Sequence, residues 1–138
     1  LTGHSDGFLD MPGMPGLGIL EAKSISPKGA WEVRHCPKLD HVIQAQIYMW
    51  LTGLRWAKIL YWDKGAHGLS ALIEHTLERD DEVIAGIQAT LKSLWHGIRT
   101  GELPGRICET ADCDRAESCC VVGACFAAED DTERDEVF

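Results

Sequence analysis

The sequence predicts an α/β fold, a small mixed sheet flanked by helices, followed by a cysteine-rich C-terminal segment. Three observations lead there. Short apolar runs and helically spaced stretches alternate in the order β-β-α-β-β-α, and mixed order of this kind places helices over a small sheet. A 45% apolar share in 138 residues is enough for one packed core and too high for a disordered chain. Five of the six cysteines fall between Cys108 and Cys125, after the last helical stretch.

Residues 2–10 (TGHSDGFLD) and 17–24 (LGILEAKS) read as two short strands. Between them MPGMPG alternates Pro and Gly, which neither a strand nor a helix can cross, so the pair is a hairpin with a six-residue loop. Residues 25–37 contain Pro27, Gly29 and Pro37 and read as irregular. Over 38–53 the spacing is helical, with Leu39, Ile43, Ile47, Trp50 and Leu54 on one side. Asp40 suits its first turn and Gly53 its end. Residues 56–63 (WAKILYWD) and 69–78 (LSALIEHTLE) read as strands. Asp80 or Asp81 then caps a second helix, whose apolar positions include Val83, Ile84, Ile87, Leu91, Leu94, Trp95 and Ile98. Gly101 and Pro104 end it. The expected organisation is a core over 1–103, a cysteine-rich segment over 104–128 and an acidic tail over 129–138, with no internal repeat.

Composition excludes some function classes. No apolar run reaches the ~20 residues of a membrane helix. No charged-then-apolar leader opens the sequence, so a secretory signal is not expected. The first residues, from Leu1, already read as a strand, so a fragment lacking an N-terminal element is expected. The net charge of −9 is unevenly spread: residues 129–138 carry −5, whereas residues 22–64 carry +4. A polyanionic partner is therefore neither favoured nor excluded by bulk charge.

The hairpin carries candidate chemistry. With the loop centred between Gly13 and Met14, Asp10 faces Leu17, Asp6 faces Glu21 and His4 faces Lys23. Alternation along a strand then puts His4, Asp6, Glu21 and Lys23 on one patch. Two carboxylates directly opposite each other repel, a cost that makes sense if a divalent cation sits between them. Oxygen ligands suit Mg²⁺ or Mn²⁺, and a nearby lysine can orient or deprotonate a water or stabilise a phosphorane-like transition state. An ordinary polar strand face would carry the same residue types. Gln44 and Tyr48, one helical turn apart, flank the apolar stripe; they can hold a phosphate or fix the lysine, or form a half-buried helix rim. His41, one turn before Gln44, could line the same site.

GHSDG, ILEAKS, QAQIY and a strand ending in YWDK together resemble the PD-(D/E)XK nuclease superfamily, and within it the RecB-type branch that includes CRISPR-associated and phage-encoded exonucleases. The resemblance spans residues 2–104 and rests on the order and spacing of the motifs. It implies a restriction-endonuclease-like core, a metal held by Asp6, Glu21 and the backbone carbonyl of Ala22, and Lys23, Gln44 and Tyr48 as the other active-site residues. Branch members often add a histidine ligand from an upstream helix; His4 is the candidate substitute here. Asp10, facing Leu17, ranks behind Asp6.

The cysteines are spaced Cys108-x4-Cys113-x5-Cys119, then Cys120-x4-Cys125. Clustering at one end favours metal or cluster ligation in a reducing compartment over a disulfide scaffold. The same nuclease branch often carries a 4Fe–4S cluster ligated by one cysteine before the core and three after it. This sequence departs from that pattern: it lacks Cys-x-x-Cys and has an adjacent Cys119/Cys120 pair. Zn²⁺, or plain reduced or disulfide-bonded cysteines, are the alternatives. Cys36 reads as a small core or loop residue. The five tryptophans read as core residues first, although they could stack on bases. Lys28, Arg34, Lys38 and Arg55 could touch phosphates or simply be solvated.

The expected function is a metal-dependent DNA nuclease, an exonuclease hydrolysing phosphodiester bonds at DNA ends. The alternative is a non-catalytic, Cys-cluster-stapled DNA-binding or interaction module. Expected partners are DNA and proteins of recombination, repair or CRISPR adaptation, in the cytoplasm of a bacterium or phage-infected host and away from membranes.

Overall fold

The hairpin register follows from the six-residue loop. Strand β1 (Gly7–Asp10) runs antiparallel to β2 (Leu17–Ile25), pairing Gly7 with Leu20 and Asp10 with Leu17, as the loop centre requires. Positive φ at Gly13 (84°) and Gly16 (67°) turns the chain between them. The structure, a computed structural model, describes residues 3–102 and 105–127. The expected acidic tail, residue 2 of the expected first strand and Pro104 lie outside the described residues. Two units divide the chain, Leu1–Leu91 and Lys92–Phe138.

In the first unit the sheet order is β1-β2-β3-β4. Strands β3 (Trp56–Asp63) and β4 (Leu72–Glu78) pair antiparallel, while β2 and β3 run parallel, which demands a long crossover. That crossover holds two helices, α1 (Pro27–Glu32) and α2 (Leu39–Thr52). The first of these corrects the irregular reading of 25–37. Pro27 stands in the first turn, where its missing N–H costs nothing, and the Ser26 hydroxyl caps the helix by accepting from the Gly29 N–H at 3.2 Å.

A core of Ile19, Val33, Ala45, Met49, Ala57, Ile59 and Tyr61 lies between these helices and one face of the sheet. The buried positions of α2 are Ala45, Gln46 and Met49, not the expected Leu39/Ile43/Ile47/Trp50/Leu54 stripe. Leu39 is 73% exposed, and the other four are half-buried. Ala45 packs in one cluster with Ala57 and Ile59, so the helix approaches closely on its small residue and Met49 fills the remaining depth, while the bulkier isoleucines flank the contact. Gln46 ties α2 to the end of β4: its Nε2 donates to the Glu78 carbonyl at 2.8 Å and its Oε1 accepts from the Asp80 N–H at 2.9 Å. Gly18 leaves room for Trp56, since a Cβ there would lie 2.3 Å from the indole ring.

Two further boundaries differ from expectation. The first strand was expected over 2–10, but its ladder begins at Gly7 because residues 3–6 are held by α2 and by side chains instead, as described below. The stretch 68–71 is a 3-10 turn opened by Gly68 at φ 63°, so β4 starts at Leu72. Helix α3 (Asp81–Thr100) starts as expected, with Asp80 Oδ1 accepting from the N–H groups of Glu82 and Val83. Among the tryptophans only Trp56 is buried; Trp31, Trp62 and Trp95 are exposed and Trp50 is half-buried, against the expectation of core residues. Among the described residues, no helix is long and apolar enough to cross a membrane. In the second unit, α4 (Asp114–Glu117) and α5 (Val122–Ala127) follow the end of α3, and Ala116 is buried.

Candidate active site

Alternation along β2 aims Ile19, Glu21 and Lys23 at the face covered by α1 and α2. Register places Ala57, Ile59 and Tyr61 of β3 beside them, and His75 of β4 beside Ile59. Glu21 is therefore a carboxylate set in an apolar layer, only 2% exposed. Its Oε1 accepts from Lys23 Nζ at 2.5 Å. Its Oε2 is buried with no hydrogen-bond partner. An unpartnered buried carboxylate oxygen is costly, and that cost is removed when a cation takes the position.

Asp6 stands immediately before β1, whose first ladder pair is Gly7 with Leu20. Its Oδ2 accepts from the Ala22 N–H at 2.7 Å, so a side chain takes over where strand backbone would otherwise pair. The preceding residues are braced by α2. Gln44 Nε2 donates to Tyr48 Oη at 3.2 Å, and Tyr48 Oη donates to the His4 carbonyl at 2.8 Å. The Tyr48 ring also fills the space beside Gly3, where a Cβ would come within 2.8 Å of Cε1. Gln44 and Tyr48 thus hold the approach to Asp6. No hydrogen bond joins either of them to Lys23 among the described residues. His4 is exposed and is held through its backbone carbonyl. Asp10 sits opposite Leu17, at the far end of β1.

A second polar set borders Lys23. His41 Nδ1 and Tyr61 Oη lie 2.8 Å apart, and Tyr61 Oη accepts from the Lys38 N–H at 3.1 Å. His75 stacks edge-on against the Tyr61 ring, and its Nε2 hydrogen-bonds the Val33 carbonyl at 2.7 Å. Burial lowers the His41 pKa below the ordinary histidine value; Asp40 opposes this shift, Lys23 and Lys38 add to it, and Glu21 opposes it. Burial likewise pushes the Tyr61 hydroxyl up. The contact with Tyr61, which pairs with Lys23 across β2 and β3, brings His41 of α2 to the same place. Tyr61 and His75 were absent from the sequence-derived site. The available signal was a tyrosine among apolar residues at alternate positions 57, 59 and 61 of one strand face.

The donor chemistry at Glu21 fits a hard divalent cation: an orphaned buried oxygen, a second carboxylate across the hairpin, and backbone between them. Among the described residues, no three His, Cys, Asp or Glu side chains converge as a ready ligand set, so backbone, water or substrate oxygens would complete the shell.

In the second unit, all five cysteines are free thiols, as is the exposed loop residue Cys36 in the first. Cys108, Cys119 and Cys125 line one cavity with Arg106, Ala116 and Phe126, and Cys108 and Cys113 line the adjoining one. Cys120 is exposed and lines neither. The Ala116 N–H and the Cys108 thiol lower the Cys113 pKa, and the same thiol–thiol bond raises that of Cys108. Thiolate donors around one hollow match a soft or borderline metal, although no three of them converge here.

No protein-family model matches the chain, and a search of curated proteins found no match. Two solved structures share its fold. One is LHK-Exo in complex with dAMP, 22% identical, with a TM-score of 0.57, covering 71% of this chain and 57% of that one. The other is the alkaline exonuclease LHK-Exo from Laribacter hongkongensis, 21% identical, with a TM-score of 0.58, covering 72% and 58%. The chain thus spans less than two thirds of the length of these structures. At this identity the likeness establishes the fold: a small mixed four-stranded sheet with flanking helices, as in an alkaline exonuclease.

Proposed function

We propose that the chain is the core of a metal-dependent DNA nuclease that hydrolyses phosphodiester bonds, acting as an exonuclease at DNA ends. The observation that carries this reading is Glu21: a buried carboxylate whose Oε1 is held by Lys23 and whose Oε2 has no partner, one residue from the Ala22 N–H that Asp6 binds. The exonuclease fold of the structural neighbours supports it.

In this reading Asp6, Glu21 and the Ala22 carbonyl hold Mg²⁺ or Mn²⁺, with His4 as an added ligand. A bound ion would polarise the scissile phosphate and acidify water. Lys23, anchored to Glu21 Oε1 and partly exposed, presents its Nζ to the attacking water and would position it, or take its proton once its own has passed to Glu21. Gln44 and Tyr48 keep Asp6 at the Ala22 N–H by holding the His4 carbonyl. Neutral His41 and the Tyr61 hydroxyl border Lys23 without adding positive charge beside it.

The cysteine segment has a structural role in the same proposal: Cys108, Cys113, Cys119 and Cys125, with Cys120 adjacent, ligate a 4Fe–4S cluster or Zn²⁺ that holds that segment together. Cytoplasmic DNA processing in a bacterium or phage-infected host is the setting, and proteins of recombination, repair or CRISPR adaptation are the partners.

The test is digestion of linear and covalently closed DNA in Mn²⁺ and in EDTA. Mn²⁺-dependent loss of the linear form alone supports an exonuclease. Binding of DNA without cleavage in Mn²⁺ would leave the non-catalytic module instead.

A further inference from the structure

Helix α1 joins the strand bearing Lys23 to the helix bearing His41 and Gln44, and it is two-faced. Gly29, Ala30 and Val33 face inward, and Val33 is part of the same core as Ile19 and Tyr61. The outward face carries Lys28, Trp31 and, as the Arg34 N–H bonds back to the Trp31 carbonyl at 3.4 Å, Arg34 and His35 one turn on. Trp31 is 75% exposed. This indole offers a flat apolar face with a cation one turn before it and another one turn after it. Its neighbours state the charge of the partner it would take. Glu32, the one acid between Ser26 and Lys38, is paired with Lys38 at 3.5 Å, while Lys28 and Arg34 have no ion-pair partner among the described residues.

We infer that the outer face of α1 is a binding platform for single-stranded DNA, with an unpaired base stacked on Trp31 and flanking phosphates on Lys28 and Arg34. An aromatic face between cations spaced one helical turn apart is the arrangement that takes a base and its two neighbouring phosphates. In duplex DNA the base faces are covered by their neighbours, so the platform selects a frayed or unpaired strand. The inference deepens the nuclease reading and rests on it for the choice of DNA as the polyanion. The platform would deliver a single strand to the site of Glu21 and Lys23, with Lys28 five residues after Lys23 in the chain.

The test is fluorescence anisotropy of a labelled oligo(dT) and of a blunt duplex with the full chain in EDTA, so that no cleavage is needed. Trp31→Ala weakens oligo(dT) binding about tenfold or more, the scale of one lost base–aromatic stack, and Trp31→Phe restores most of it. The pair Lys28→Ala with Arg34→Ala flattens the dependence of log affinity on log salt by ~1.4, or ~0.7 for each lost phosphate contact on a single strand. Duplex binding changes less in all of them. Wild-type affinity for oligo(dT) in Trp31→Ala, or equal losses on single strand and duplex, overturns the platform. A nuclease assay separates the two readings: cleavage by the wild type alongside unchanged binding by Trp31→Ala sinks the platform alone, whereas lost binding in a protein that never cleaves leaves the platform and removes the nuclease.

Discussion

Replacing Glu21 by Gln separates the cation site from the fold. The amide keeps an oxygen for Lys23 Nζ and the shape of the side chain, but removes the negative charge and puts an NH2 group where the unpartnered Oε2 stood. Two changes in the metal-free protein then oppose each other. Exchanging one charge-assisted hydrogen bond for a weaker one loses about 1 kcal/mol, and removing the buried charge regains a similar amount, while one unsatisfied polar group replaces another. Metal-free stability therefore stays within about 1 kcal/mol of wild type. With Mg²⁺ the two proteins diverge. An ion at 100 times its dissociation constant stabilises the wild type by about 2.7 kcal/mol. At about 3 °C per kcal/mol for 138 residues, Tm rises by ~8 °C. Glu21→Gln shows almost none of this rise. Differential scanning calorimetry with and without Mg²⁺ reads both quantities, and Mg²⁺ is preferred because it avoids thiolates. An equal Mg²⁺-induced rise in both proteins would refute the assignment of the ion to Glu21.

Three other outcomes are expected. Tyr48→Phe keeps the ring beside Gly3 but loses the hydroxyl that holds the His4 carbonyl; stability falls by about 1 kcal/mol in urea melts, and nuclease activity falls more than stability because Asp6 is no longer braced. Gln46→Ala strands the Glu78 carbonyl and the Asp80 N–H, costing about 2–4 kcal/mol by chemical denaturation. His41 has a folded pKa below its unfolded value of about 6.5, so as pH falls below 6.5 the unfolded chain takes up the extra proton first and stability declines. In His41→Asn that part of the decline between pH 7 and 5 disappears from the urea-denaturation profile.

The hairpin was legible because MPGMPG leaves only one short loop, and a loop centre determines which residues face each other across the strands. Glu21 and Lys23 share a face by alternation along β2, and Asp6, just ahead of the ladder, accepts from the Ala22 N–H between them. Helix α1 was hidden because Pro27 and Gly29 read as breakers, whereas one opens the helix and the other donates to its cap. The buried face of α2 was misjudged because size was taken as a guide to depth; close approach favoured Ala45 over Ile43. The same blindness made Trp31 a core candidate. Tyr61 and His75 join the site only through pairings among β2, β3 and β4, which strand periodicity does not determine. The two glutamines of QAQ show the limit most clearly: Gln44 braces the candidate site and Gln46 clamps the end of the sheet, two residues apart on one helix.

The most direct measurement is the rate at which Lys23→Ala and Glu21→Ala degrade end-labelled linear DNA in Mn²⁺, beside the wild type at equal folded concentration. The account predicts nucleotide release by the wild type and a loss of at least about a hundredfold in each variant, the scale of a missing proton-transfer group. Undiminished release by both variants would mean that the paired carboxylate and amine on β2 are not where the phosphodiester is cut.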